Sequence, residues 1–219
     1  MADDYRNTKY CPEMGNIEER KNSLVAEIRK THPRATDMYA ILSKELSHRD
    51  RFFKAYHAKC AYCGVSLDIL PCQMFEIDHF IPKASCKFGG SKAAAGNMKN
   101  LVLACHDCNR WKSDFDTSGL ENDLHPDYEG ITQSFFRDSQ YYIRVSAPKE
   151  NDSNVKAFYN QLHLGNELRR VDYLLMNMRG MYDAMKLEGM KPEVLKELLE
   201  AIHLLQKKRN RMGLHTEIA

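Results

Sequence analysis

Four cysteines fall in two pairs of the same spacing, Cys60-x-x-Cys63 and Cys105-x-x-Cys108, with 41 residues between the pairs. A tight turn of that spacing offers two thiolates to one ion. Two such turns complete a tetrahedral four-cysteine set with no coordination position left open, which is the pattern of a structural Zn2+ site. The other three of the seven cysteines, Cys11, Cys72 and Cys86, lack partners at this spacing and are read as free thiols. An odd cysteine count without a leader-like N-terminus speaks against a disulfide framework. A thioredoxin-type redox role needs a single pair at a helix start. Here two pairs flank a further group of chemically capable residues, so metal is the preferred reading.

That group is Glu76-Ile77-Asp78-His79-Phe80-Ile81-Pro82-Lys83. The second pair is embedded in Lys99-Asn100-Leu101-Val102-Leu103-Ala104-Cys105-His106-Asp107-Cys108-Asn109-Arg110-Trp111-Lys112. An imidazole, with an ordinary pKa of about 6.5, is suited to taking a proton from water near neutrality. Asp and Asn side chains offer the oxygens that hard cations such as Mg2+ or Mn2+ prefer. Alone, an Asp-His step, an Asn before a strand or an Asn in a short helix is ordinary surface or capping chemistry. Only the joint arrangement suggests hydrolysis of a phosphodiester.

In order and identity these residues resemble the HNH endonuclease family: Cys-x-x-Cys, Asp-His-x-x-Pro, Asn-Leu, then Cys-x-x-Cys-Asn-x-x-Lys, over about residues 56–115. The resemblance implies a ββα-metal finger of two antiparallel strands and a helix gripping one divalent cation. It implies Asp78 and Asn109 as ligands of Mg2+ or Mn2+, His79 as general base, and Asn100 as the residue orienting that histidine. It makes Cys60, Cys63, Cys105 and Cys108 the zinc ligands. The helical flanks are similar to effectors of bacterial anti-phage systems, Septu-type and retron-associated ones included. That likeness implies an ATPase partner subunit, and apolar stripes in the C-terminal region allow a homodimer. The rival reading from another class is a non-catalytic zinc-knuckle module binding nucleic acid or protein.

Charge is spread unevenly. The chain is only +2 overall, yet residues 51–112 carry nine Lys or Arg against four acids. Lys83, Lys87, Lys92, Lys99, Arg110 and Lys112 are the candidate phosphate contacts, with DNA as the favoured nucleic acid. No run approaches the roughly 18 apolar residues of a membrane span, and the N-terminus has no signal-like pattern, so a cytoplasmic protein without a membrane partner is expected.

The elements that must position these residues follow from periodicity. Residues 1–15 read as a loose arm. Helices are expected from Asn16, as N-cap, to His32-Pro33, then over about 36–46 and 48–57. Phe75 to Phe80 alternates as a strand, and Leu101-Val102-Leu103 precedes the second cysteine pair. Residues 89–96 read as a low-complexity loop, and Asn109 to Phe115 as a short helix. Residues 116–150 look irregular except for a strand at Tyr141 to Ser146. Helices over about 153–162 and 166–187 precede one that starts at Lys191-Pro192-Glu193, with proline in its first turn. The fold class is α+β: a helical region at 1–50, an HNH core at 51–115 and a mostly helical region at 116–219.

Overall fold

The computed structural model describes residues 3–212. Helix α1 spans Ile17–Thr31 and buries Ile17, Lys21, Leu24 and Ile28, one stripe at helical spacing. His32 ends it before Pro33, as the restriction on a residue preceding proline requires. Asn16 stands at the N-cap in a left-handed conformation and makes no side-chain cap, unlike the expectation. Helix α2, Met38–Lys44, is capped by Asp37, whose carboxylate accepts from Ala40 N–H. Helix α3, Leu46–Ala55, brings Phe52 and Phe53 into the core.

The chain then enters the centre of the molecule. Strand β1, Phe75–His79, pairs antiparallel with β2, Leu101–Cys105, in the register Phe75↔Cys105, Asp78↔Val102 and His79↔Leu101. Between them lies a one-turn helix, α4, at Lys92–Ala95. It sits where an irregular loop is expected from sequence. Ser91 caps it, and its alanines are strong helix formers. Its end receives α2: Met38 N–H donates to Gly96 O at 2.9 Å. Helix α5, His106–Lys112, follows β2 without a break and lies against both strands.

Residues 116–150 are more ordered than their composition suggests. They form α6 at Glu121–Leu124, α7 at Gly130–Ser134, and an antiparallel pair, β3 at Phe135–Arg137 with β4 at Ile143–Val145. Helices α8 at Ser153–Gln161, α9 at Glu167–Leu187 and α10 at Pro192–Met212 complete the described chain, with α9 and α10 packed on one another. The architecture is therefore α+β, with helices dominant and two separate two-stranded sheets.

Residues 3–15 are not a loose arm. Tyr5, Arg6, Thr8 and Met14 are buried. Tyr5 Oη donates to Tyr62 O at 2.6 Å, and Arg6 Nη1 donates to Ala61 O and Pro126 O, both at 2.8 Å. A few anchoring side chains hold an otherwise polar segment, and hydrophobic periodicity carries no trace of them. Among the described residues no helix is long and apolar enough to cross a membrane.

Candidate active site and metal centre

The first cysteine pair is shaped by its own backbone. Cys60 N–H donates to Val65 O at 2.8 Å and Gly64 N–H to Cys60 O at 2.9 Å, closing the knuckle. Gly64 has φ 81°, and a Cβ there would lie 2.6 Å from Arg6 O, so this turn requires glycine. Ala61 N–H donates to Leu103 O at 2.7 Å, tying the knuckle to β2. Strand β2 ends on Cys105, and the first turn of α5 supplies Cys108. All four thiols are buried, with their sulfurs within 4.8 Å of one another and Cys63 Sγ 3.9 Å from Cys105 Sγ. A tetrahedron with Zn–S bonds of about 2.3 Å has S···S edges of about 3.8 Å, so the set fits Zn2+. Burial pushes the Cys108 thiol up and the neighbouring thiols add to it, while the Arg169 guanidinium opposes. A bound cation would remove that penalty.

On β1, alternate side chains face α5. Glu76 accepts from Asn109 Nδ2, and its other oxygen lies 2.9 Å from His106 Nδ1. Asp78, two residues on, is only 7% exposed. Tyr62 Oη donates to it at 2.6 Å, and Lys112 Nζ lies 3.2 Å from each of its oxygens. Burial raises the Asp78 carboxyl above its usual range, and the Lys112 and Tyr62 contacts oppose that rise.

His79 points to the opposite face of the strand. Tyr39 of α2 packs on its ring at a centroid distance of 4.5 Å, and Lys83 Nζ lies 4.0 Å from the Tyr39 centroid. His79 is 7% exposed, and its Nε2 is buried without a hydrogen-bond partner among the described residues. Burial, with the Lys83 and Lys112 charges adding to it, lowers its pKa to about 4. The imidazole is therefore neutral at neutral pH, with its nitrogen free to accept a proton.

Two sequence expectations need correction. Asn100 does not touch the His79 ring. Its Oδ1 accepts from Ile81 N–H at 2.9 Å and its Nδ2 donates to Ile81 O and Ala95 O, so it fixes the chain leaving β1. Asn109 donates to Glu76, whereas Asp78 is held by Lys112 and Tyr62. Lys112 is fully buried, with Nζ also donating to His79 O at 2.9 Å, and cannot reach a phosphate on the surface. Lys83, Lys87, Lys92, Lys99 and Arg110 are exposed, although Lys87 pairs with Glu121.

Sequence reasoning passed over Glu76, Tyr62, Tyr39 and Arg169. Period-two alternation from Asp78 would have flagged Glu76, whereas nothing local marks Tyr39 or Arg169. Away from this centre, Glu45 lies between two imidazoles, 2.6 Å from His32 Nε2 and 3.3 Å from His48 Nε2.

A ββα unit clasped by a buried four-cysteine cluster, with a neutral histidine at the end of its first strand, defines a finger of the ββα-metal kind. Residues 60–115 match the model of the family described as HNH endonuclease, and the resemblance of this segment to that family of nucleases is thereby shown. No curated protein and no solved structure matches the chain.

Proposed function

We propose that this chain is an endonuclease that hydrolyses phosphodiester bonds in nucleic acid, DNA by preference, with His79 as general base. The observation that carries the reading is the His79 imidazole itself. It is neutral at neutral pH and fixed at the end of β1 inside the segment matched by the family. His79 takes a proton from water as the water oxygen bonds to phosphorus. The P–O3′ bond breaks with its electron pair on O3′, and that oxygen takes a proton from solvent water. Asn100 holds the backbone from Phe80 to Ile81, and Tyr39 holds the ring plane. Asp78 and Asn109, with Glu76 beside Asn109, would hold Mg2+ or Mn2+ through oxygen, and that ion would supply charge neutralisation at the phosphate and the leaving oxygen. For that role Asp78 has to exchange the Lys112 ammonium for the ion. The five exposed cations, Lys83, Lys87, Lys92, Lys99 and Arg110, supply the phosphate contacts.

Anti-phage defence beside an ATPase subunit rests on the likeness of the helical flanks. The apolar side chains that α9 and α10 expose, Leu187, Leu199 and Leu204 among them, support only a subunit interface on that side, a homodimer included. One observation favours the rival zinc-module reading: Asp78 is already compensated by Lys112.

Cleavage assays on DNA and RNA with Mg2+ or Mn2+ separate the two readings. His79→Ala should lose about 10²–10⁴-fold in rate while keeping its zinc. Cutting by His79→Ala at the wild-type rate refutes the assignment of the base. Tight nucleic-acid binding with no cleavage by the wild type, under any of these cations, supports the zinc module.

A further inference from the structure

Arg169 lies outside the segment matched by the family, in the first turn of α9, and is 1% exposed. Its Nη2 is 3.2 Å from Cys108 Sγ and its Nη1 is 3.8 Å from Cys105 Sγ. The guanidinium carbon sits 4.8 Å from the centroid of Trp111, on the same short helix as Cys108. A guanidinium removed from water needs a counter-charge. The one buried carboxylate on its own helix, Asp172, is hydrogen-bonded at 2.7 Å to Arg209 of α10, and no hydrogen bond joins it to Arg169 among the described residues. The atoms that receive the Arg169 donors are the sulfurs. Four neutral thiols are poor partners for a buried cation. Four thiolates around one Zn2+ carry a net charge of −2, which a guanidinium complements in both sign and geometry.

We propose that Arg169 is a positioning residue of the zinc site: by donating to the Cys105 and Cys108 thiolates it halves the charge of the cluster and slows loss of the metal. The C-terminal helices are then part of the metal centre, and the segment that carries the HNH motif is incomplete without α9. The proposal rests on the zinc reading of the four cysteines.

The test measures zinc release from the full-length protein to a chromophoric chelator, 4-(2-pyridylazo)resorcinol. Metal content of the wild type comes first, and a wild type without zinc sinks the zinc reading itself. With zinc present, Arg169→Met should release it about 10–100-fold faster, the range typical of outer partners of metal ligands. Arg169→Lys, which keeps the charge but loses the fork, should fall between. Asp172→Asn should release at the wild-type rate, because it leaves both N–H···S contacts in place. Far-ultraviolet circular dichroism reports whether each variant is folded, since Arg169 itself packs on Trp111 and would alter its fluorescence directly. Release from Arg169→Met at the wild-type rate overturns the proposal while leaving the zinc reading intact. If neither Arg169 variant folds, the wild type loaded with 113Cd decides by NMR. Coupling from guanidinium protons to the metal supports the contact, and its absence alongside visible cysteine Hβ couplings overturns it.

Discussion

The pair formed by Lys112 and Asp78 should dominate the stability of the ββα core. The two side chains are 1% and 8% exposed, and Tyr62 is the other donor to Asp78. Lys112→Met keeps most of the aliphatic stem and removes the ammonium. Asp78 is then a buried carboxylate left with one neutral hydrogen bond. Breaking a buried pair from one side costs about 3–5 kcal/mol, against about 0–1 kcal/mol for a pair on the surface. With a urea slope of about 3 kcal/mol per molar, reasonable for a chain of this size, the unfolding midpoint should fall by about 1–1.7 M. Asp78→Asn in the Lys112→Met background should recover part of that loss, because the orphaned charge is gone. The assay is equilibrium urea unfolding of both single variants and the double variant, which yields a coupling energy. A further arm adds Mg2+ or Mn2+ to Lys112→Met. If Asp78 is a ligand, an ion at about a hundred times its Kd should restore about 2.7 kcal/mol. A cost below about 1 kcal/mol for Lys112→Met would falsify the claim that the pair is buried and mutually dependent.

Other perturbations probe separate parts of the molecule. Metal analysis should find one Zn2+ per chain, and Cys105→Ser, which breaks the junction of β2 and α5, should lose both zinc and the Trp111 fluorescence of the folded state; a zinc-free, folded wild type contradicts this. Affinity for duplex DNA should fall steeply with salt, and Lys83→Gln should lower the slope of log K against log salt by about 0.9, whereas a flat dependence makes the basic surplus incidental. His125 is held neutral by burial, with a pKa lowered from 6.5 to about 4, the Lys21 charge adding to the fall and Asp127 opposing it. Because the folded value lies below the unfolded one, its stabilisation is complete above pH 6.5 and is lost as pH falls toward about 4. Thermal melts of the wild type should show that acid limb, and His125→Gln should flatten it; an unchanged limb assigns the loss to other groups.

Helix positions were legible wherever one apolar stripe faces the core. The stripe of α1 is spaced so that no other element could bury it, and Pro192 marks the start of α10. Segments held by single polar anchors were not legible. Arg6 reaches two carbonyls 55 and 120 residues away in sequence, and such a contact leaves no local pattern. Helix α4 was hidden by a composition of small residues that suits either a loop or a helix. What settles it is the docking of the α2 N-terminus on Gly96 O, a tertiary event.

At the candidate site the residue types were legible and their pairing was not, for a geometric reason. Glu76 and Asp78 share the α5-facing side of β1 and are about 6.6 Å apart along the strand. Asn109 and Lys112 share the facing side of α5 and are about 4.5 Å apart along the helix. The two ladders run side by side, and nothing in residue order fixes their offset. The structure sets it at Glu76 with Asn109 and Asp78 with Lys112, and the long lysine stem spans the difference in rise. The offset has a chemical consequence. Asp78 is the innermost carboxylate of the finger, and it already holds one positive charge, that of Lys112. Glu76 is partly exposed, and its partners, His106 and Asn109, can turn toward solvent without stranding a buried charge. A divalent ion approaching from solvent therefore meets Glu76 before Asp78, and reaching Asp78 requires the Lys112 ammonium to give way. On the proposed reading of Asp78 as a ligand, competition between Lys112 and the ion, rather than the presence of Asp78 alone, would set how readily this finger takes up a cation.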